Sequence, residues 1–317
     1  MKNLIIETVN GAVDFITDTE VRLVEVTGVG AIGQINTQST AGRNGSVKVS
    51  HNTPERNIVI KFRIRGGADA ERVQYDIPRI CETGLAATLT MHARTCSSRI
   101  DCICESANIE PNQKPPMLGF ITLRCPDPFF HALIDHLEVI AGSLSYFKLP
   151  FTFPPEPFYI SKRQESVFKE INNTGVSDTA LEIKFYAKAR VVNPYLENVD
   201  TGEKMQLNFT MEQGDEIIVT TGEDNKRITL IRDGAETNII NYKKFPFYFF
   251  QLTAGKNLFK FGADSGVNSL EITARYVPKF PSIYCNIPGG TDRIGDSEIL
   301  SRLQEIGYII KRGGLNG

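Results

Sequence analysis

The side chains in this sequence best suited to chemistry are a cysteine cluster and a pair of histidines. Cys96, Cys102 and Cys104 lie near His92, and thiolates with an imidazole are the usual ligands of structural zinc. Their spacing is C-x5-C-x-C, without the C-x2-C pairs of such sites. Residues two apart on a strand share a face, so Cys102 and Cys104 can both point into a core, where reduced cysteine is at home. His131 and His136 stand five apart, with Asp127, Asp135 and Glu138 nearby, and imidazole with carboxylate is the common acid–base and ligand partnership. Ligands on a helix are normally four apart, and the fifth position turns His136 away from His131. The run HALIDHLEVIAG reads as a short amphipathic helix with both histidines at its solvent edge. Asp215 and Glu216 are adjacent on a strand, point to opposite faces and cannot flank one bond. Gly-x-Ser-x-Gly, His-Glu-x-x-His, a phosphate-binding glycine loop with lysine and a helix-opening Gly-x-Gly-x-x-Gly are all missing. The expectation is a protein with no catalytic residue, metal ligand or cofactor.

The elements that carry these residues are mostly strands. A chain of 317 residues with 41% hydrophobic content suits two packed domains, and no run of eighteen apolar residues suggests a membrane span. The net charge of −2 gives no bulk pull toward nucleic acid or anionic lipid. MKNLIIETVNGAVDF has too short an apolar core for a secretion signal, which predicts cytoplasmic synthesis and six reduced cysteines.

In chain order, Leu4–Val9, Ala12–Ile16 and Val21–Val26 read as strands, then a loop from Gly28 to Gly45, then a strand at Ser46–Ser50. Arg56–Arg65, RNIVIKFRIR, alternates: Ile58, Ile60, Phe62 and Ile64 take one face, basic residues most of the other. Val73, Ile77 and Ile80 have helical spacing within Ala68–Cys81, and Pro78 predicts a stop or bend near Tyr75. Strands are expected at Ala86–Ala93, Ser98–Glu105 and Leu118–Cys125. Ser145–Tyr159 carries four prolines and reads as a stiff, extended connection between domains. Glu170–Thr179 reads as a turn and Leu181–Val192 as a strand.

From Ala189 to Gly255, short alternating runs (Met205–Phe209, Glu216–Thr220, Arg227–Ile231, Thr237–Tyr242) are separated by turns rich in Gly, Asp and Asn. That is the pattern of an antiparallel sandwich or barrel. Asp233-Gly234 marks a tight hairpin that needs positive φ at both central residues. Strands continue at Lys256–Phe261 and Ser269–Tyr276. Asp296–Gly307 reads as a helix capped by Asp296, with Ile299, Leu300, Leu303 and Ile306 on one face.

Asn193-Pro194, Asn198, Thr201-Gly202-Glu203, Gly214-Asp215-Glu216 through Thr221, and Leu252–Asn257 follow a recognisable order, closed by Tyr276-Val277-Pro278. In that order and spacing the chain resembles the distal tail protein family of long-tailed siphophages, over about residues 1–280. The resemblance implies a mainly β fold: an N-terminal β-barrel or split-barrel domain with a short helix (1–145), which closes a ring, and a galectin-like sandwich (165–280). The Pro-rich linker takes 146–164 and a C-terminal extension with its short helix 281–317.

It further implies a structural virion protein, hexameric, at the distal end of the tail tube. Its partners would be itself, the tail tube protein, the tail-tip hub or tail-associated protein, and receptor-binding or fibre proteins. Family members with an adhesion role often carry a long extension or a carbohydrate module, for which 165–280 has no room. The candidate subunit-interface residues are Arg56, Lys61, Arg63 and Arg65 on the alternating strand and Ile299, Leu303 and Ile306 on the C-terminal helix. Two readings compete: a galectin-like carbohydrate-binding adhesion module and a tail-tube-like ring protein. The chain has no Trp to stack on a sugar, and its aromatics at Phe245, Phe247, Tyr248, Phe249 and Phe250 read as one strand serving core and interface.

Overall fold

A computed structural model describes residues 3–15, 20–39, 42, 44–66, 70–92, 97–109, 116–145, 161–163 and 167–283. The linker prolines at 146–160 and the C-terminal helix with Ile299, Leu303 and Ile306 lie outside the described residues. The chain forms two units, one from residues 1–30 and 56–126, the other from 31–55 and 127–281.

In the order of the chain, the elements up to residue 125 are β1 (Asn3–Thr8), β2 (Gly11–Asp14), β3 (Val21–Thr27), β4 (Gln34–Ser39), β5 (Ser46–Asn52), β6 (Arg56–Ile64), α1 (Ala70–Ile80), β7 (Ala86–His92), β8 (Ser97–Ile109) and β9 (Met117–Cys125). Seven strands of the first unit form an antiparallel sheet in the order β2-β1-β7-β8-β9-β6-β3. Among the described residues no pairing joins β2 to β3, so the sheet is open rather than a closed barrel. Ile58, Ile60, Phe62 and Ile64 of β6, Leu4 and Ile6 of β1, and Ile121 and Leu123 of β9 are all fully buried. The helix α1 adds Val73, Ile77 and Ile80.

Pro78 does not stop that helix near Tyr75. It sits in the last turn of α1, where it forfeits a single backbone bond, and the burial of Ile77 and Ile80 carries the helix on to Ile80. The expected loop after Gly28 also holds a strand: β4 pairs with β5 as a two-stranded ribbon, exposed along its whole length. β5 is the strand expected at Ser46–Ser50, whereas β4, with neither face buried, carries no apolar alternation to read.

The second unit continues with β10 (Phe130–Ala132), β11 (His136–Ala141), β12 (Ser143–Ser145), β13 (Ser161–Arg163), β14 (Phe168–Asn173), β15 (Leu181–Ala187), β16 (Val191–Val192), β17 (Tyr195–Asn198), β18 (Glu203–Gln206), β19 (Thr210–Met211), β20 (Glu216–Gly222), β21 (Asn225–Arg232), β22 (Ala235–Asn238), β23 (Gly255–Gly262), β24 (Leu270–Tyr276) and β25 (Lys279–Phe280). Two antiparallel sheets, β11-β24-β15-β20-β21-β22 and β14-β23-β17-β18, share one apolar core. Ile183, Phe185, Val219 and Ile272 enter it from the first sheet; Ile171, Leu196, Met205 and Phe259 enter from the second. This is a β-sandwich. The short pairs β10–β25, β12–β13 and β16–β19 complete the strands of this unit.

Two expectations need correction here. The run from His131 to Gly142 is not a helix: it is β10 and β11, with Ile140 and Ala141 buried in the sandwich core. Pairing of β11 with β24, far along the chain, outweighs the helical spacing of Leu133, Leu137 and Ile140. Glu170–Thr179 is not all turn, since β14 runs through Asn173 and pairs with β23. β11 belongs to the second unit, since the division between the units falls after Pro126.

Candidate assembly interface

The alternation of β6 sends Asn57, Val59, Lys61 and Arg63 to one face and Ile58, Ile60, Phe62 and Ile64 to the other. β6 is hydrogen-bonded on both sides, to β9 and β3, so it offers a partner its outer face and no free backbone edge. On that face Arg63 stands directly opposite Arg22, and Lys61 opposite Glu25. The Lys61 ammonium also lies 5.5 Å from the centre of the Phe120 ring. Arg63 and Arg65 are exposed. Two arginines opposite each other on one face repel, and an acidic partner surface relieves that repulsion.

Arg56 departs from the expected grouping. It lies an even number of residues from Ile58, so the same alternation sends it to the core face, where it is 1% exposed. Its guanidinium donates to the carbonyl oxygens of Gly28 at 2.8 Å and Gly30 at 2.7 Å, holding the loop after β3. Gly28 has φ +83°, and a Cβ there would stand 2.0 Å from the Asn57 carbonyl oxygen. Only glycine brings this backbone close enough.

The histidines and cysteines are woven into the packing. Nε2 of His131 lies 3.2 Å from Asp127 Oδ2, which also accepts from Lys279 Nζ at 2.9 Å, joining β10 to β25. Burial alone would raise the Asp127 pKa; the bonds from His131, Lys279 and the Phe129 N–H outweigh it and hold the carboxyl well below its ordinary range. His136 stacks on Tyr276 at 5.3 Å. His92 is buried, which lowers its pKa, and its Nδ1 lies 2.8 Å from Ser97 Oγ. Cys102 and Cys104 are buried on one face of β8; Cys96 lies outside the described residues. No group of His, Cys, Asp and Glu among the described residues is arranged to hold a metal ion.

In the second unit, the ordered motifs of 193–257 build corners. Asn193 has φ 52° and donates through Nδ2 to Asp264 at 2.7 Å. Asn198 Oδ1 accepts the N–H groups of Asp200 at 3.0 Å and Thr201 at 3.3 Å, closing the turn that Gly202 completes with φ 71°. Asn257 makes four bonds across the turn before β23: it accepts from the N–H and hydroxyl of Thr253 and donates to the carbonyls of Thr253 and Gly255. Asp215, nearly fully buried, accepts from the Glu212 N–H at 2.8 Å and takes a two-pronged bond from the Arg232 guanidinium. That bond holds its carboxyl below the usual range. Glu216, on the other face, pairs with Lys184 at 2.7 Å. Sequence reading missed Arg232; its place just before Asp233-Gly234, across the hairpin from Asp215, was the available signal.

The aromatic stretch 245–250 is not a strand. Phe250 is buried and stacks on Phe259, but Phe245, Tyr242 and Tyr248 are exposed. The Lys243 ammonium stands 5.8 Å from the Phe245 ring and 5.6 Å from the Phe249 ring.

Open sheet, sandwich and side-chain-locked corners together define a class: a mainly antiparallel β protein in which the most ordered sequence motifs serve architecture. Residues 174–280 match the family model of the siphovirus-type tail component, C-terminal domain. The fold is similar to that of the Dit protein (gp 19.1) of SPP1, described as a paradigm of the hub adsorption apparatus in phages infecting Gram-positive hosts. The TM-score is 0.62 at 13% identity, over 87% of this chain and 99% of that one. A chain of the activated phage P2 baseplate with Ca is similar at a TM-score of 0.50 and 12% identity, over 86% of this chain and 97% of that one. No curated protein matches the chain. The likeness to the distal tail protein family, drawn from the turn motifs, therefore stands: residues 174–280 match the siphovirus-type tail component domain, and the fold is similar to that of a Dit protein.

Proposed function

We propose that this tail component is a structural protein that assembles as a closed ring, six subunits by family resemblance, at the distal end of the tail tube. There it joins the tube to the tail-tip hub, with the tube protein and the hub or tail-associated protein as its neighbours and receptor-binding or fibre proteins as further partners. The observation that carries this reading is the match of residues 174–280 to the tail-component domain, together with a fold that spans nearly all of the SPP1 protein. A ring also suits an open sheet, since a neighbour in a closed rotational assembly covers free edges and exposed faces. On this reading the division into a ring-forming first unit and an outward sandwich follows the family plan, and Lys61, Arg63 and Arg65 face a neighbouring subunit. No enzymatic step is assigned to it.

The test is light scattering and electron microscopy of the purified full chain, alone and with tail tube protein. A mass several times 35.3 kDa and rings with a lumen are expected. A monomer at high concentration in both conditions, with no label at the tail tip in immunogold images of particles, would refute the proposal. The exposed Phe245, Tyr242 and Tyr248 favour a second reading, a carbohydrate-binding adhesion surface on the sandwich. Loss of glycan-array binding on Phe245→Ala would support that one.

A further inference from the structure

Four thiols of the first unit lie together in two contacts. Cys102 and Cys104 share the inner face of β8, at 4% and 0% exposure, with Cys81 and Cys125 equally enclosed. Ile103 pairs with Arg124 in the β8–β9 ladder, which puts Cys102 opposite Cys125 on the adjoining strand. Directly opposed antiparallel residues have Cα atoms about 4.5–5.5 Å apart, inside the roughly 4.4–6.8 Å a disulfide spans. The Cys102 thiol lies within hydrogen-bond reach of Cys125 and 3.3 Å from the Ala87 carbonyl oxygen.

The second contact is set by the turn after α1. Gly84 N–H donates to the Cys104 carbonyl at 2.8 Å, and Cys104 N–H donates to the Leu85 carbonyl at 2.9 Å. These bonds hold the turn against β8 and lay the Cys81 thiol on the Cys104 sulfur. Four cysteines allow three pairings, and the contacts select one.

We propose that Cys81 with Cys104, and Cys102 with Cys125, are poised pairs that close into disulfides when the protein meets a low-molecular-weight disulfide oxidant. The first bridge ties α1 to β8 and the second ties β8 to β9. Cys81 donates to Cys104, which raises the pKa of Cys81 and lowers that of Cys104, so Cys104 is the first thiolate. It gives up its proton and attacks one sulfur of oxidised glutathione. One glutathione thiolate leaves with that proton. Cys81 then loses its proton and displaces the second glutathione from the mixed disulfide. Two protein thiols are oxidised to one disulfide, and one glutathione disulfide is reduced to two thiols. The hydrogen bond to Cys125 and then burial raise the Cys102 pKa, so in that pair too the thiolate forms only on opening. Both pairs are enclosed, so closure waits on local opening and takes minutes to hours. The inference does not depend on the tail reading.

The test uses the full chain, purified under reductant and moved without denaturant into oxidised glutathione. Samples are blocked with N-ethylmaleimide at intervals, then digested unreduced and read by mass spectrometry. Peptides joined through Cys81–Cys104 and Cys102–Cys125 are expected, with a rise in Tm of roughly 5–10 °C that a phosphine reductant reverses. Cys81→Ser should remove only the first bridge and Cys125→Ser only the second; Cys81→Ala and Cys125→Val serve if either serine variant fails to fold. Thiols that all remain reactive toward maleimide on denaturation after days of native oxidation would overturn the proposal. So would bridges through Cys96 or Cys285, or an unchanged Tm in the bridged protein.

Discussion

Gly119→Ala is a small change placed where the structure has no room for it. Gly119 on β9 stands directly across from Phe62 on β6, and the Phe62 ring lies over the glycine. A Cβ at Gly119 would come to 2.3 Å from Cζ of that ring, 2.6 Å from Cε2 and 2.9 Å from Cε1. Ordinary contact begins near 3.4 Å, so the ring must retreat by about 1 Å. Phe62 is fully buried, and its ring packs 5.7 Å from that of Phe15. The displaced ring therefore pushes on the rest of the core. Overpacking of this kind costs about 1–3 kcal/mol, and the upper half of that range is expected because the clash is with a ring that cannot fold away. For a unit of this size the loss lowers Tm by roughly 4–10 °C.

Urea titrations followed by circular dichroism would measure the loss in Gly119→Ala, Phe62→Leu and the double variant. Leucine withdraws the atoms that collide, so the double variant should be more stable than the sum of the two single losses by at least about 1 kcal/mol. A Gly119→Ala protein within about 0.5 kcal/mol of the parent, or strict additivity in the double variant, would refute the reasoning.

Arg56→Met leaves the carbonyls of Gly28 and Gly30 without their buried donor and should destabilise the first unit by about 2–4 kcal/mol; a neutral urea midpoint would contradict that. Asp215→Asn tests the two-pronged bond from Arg232. The folded carboxyl has a depressed pKa, so its contribution is present above the ordinary carboxylate pKa of about 3.9 and is lost as pH falls through the folded value. The gap in Tm between parent and variant should be largest near pH 6–7 and shrink below about pH 4; a gap that does not change with pH would argue against the charge. Lys61→Glu with Arg63→Glu should leave the melting curve nearly unchanged and abolish rings in electron micrographs, since both side chains lie on the outer face of β6.

How much of this was legible in the sequence depended on whether the forces involved were local. Asp233-Gly234 announced its hairpin, and both residues do have positive φ, 51° and 79°. The β6 alternation was equally plain, because one buried face writes its period directly into the chain. The same period also assigned Arg56 to the core, and the strong prior that arginine faces water hid it. The run from His131 to Gly142 misled because its apolar spacing suits a helix, while its partner strand is contributed by residues 270–276. Of the ribbon that buries neither face, β5 was legible as the strand at Ser46–Ser50, whereas β4 left no periodic trace. In the second unit the turn asparagines were visible as a motif, but their role was not. That Asn257 satisfies four groups across one turn is a matter of side-chain direction, which composition and spacing do not encode.

The place of β11 in the sandwich has a consequence for how the protein can be taken apart. That strand precedes residues 146–160 in sequence, yet it pairs along β24 and contributes Ile140 and Ala141 to the sandwich core. Without it, the backbone of β24 loses its partner on one side. A fragment beginning at residue 165 is therefore an incomplete fold with an adhesive edge. A protease that cut within 146–160 would not free a separate sandwich, because β11 would hold its place through the ladder and the core. The two pieces would behave as complementing fragments, separable only under denaturant and able to find each other again when it is withdrawn.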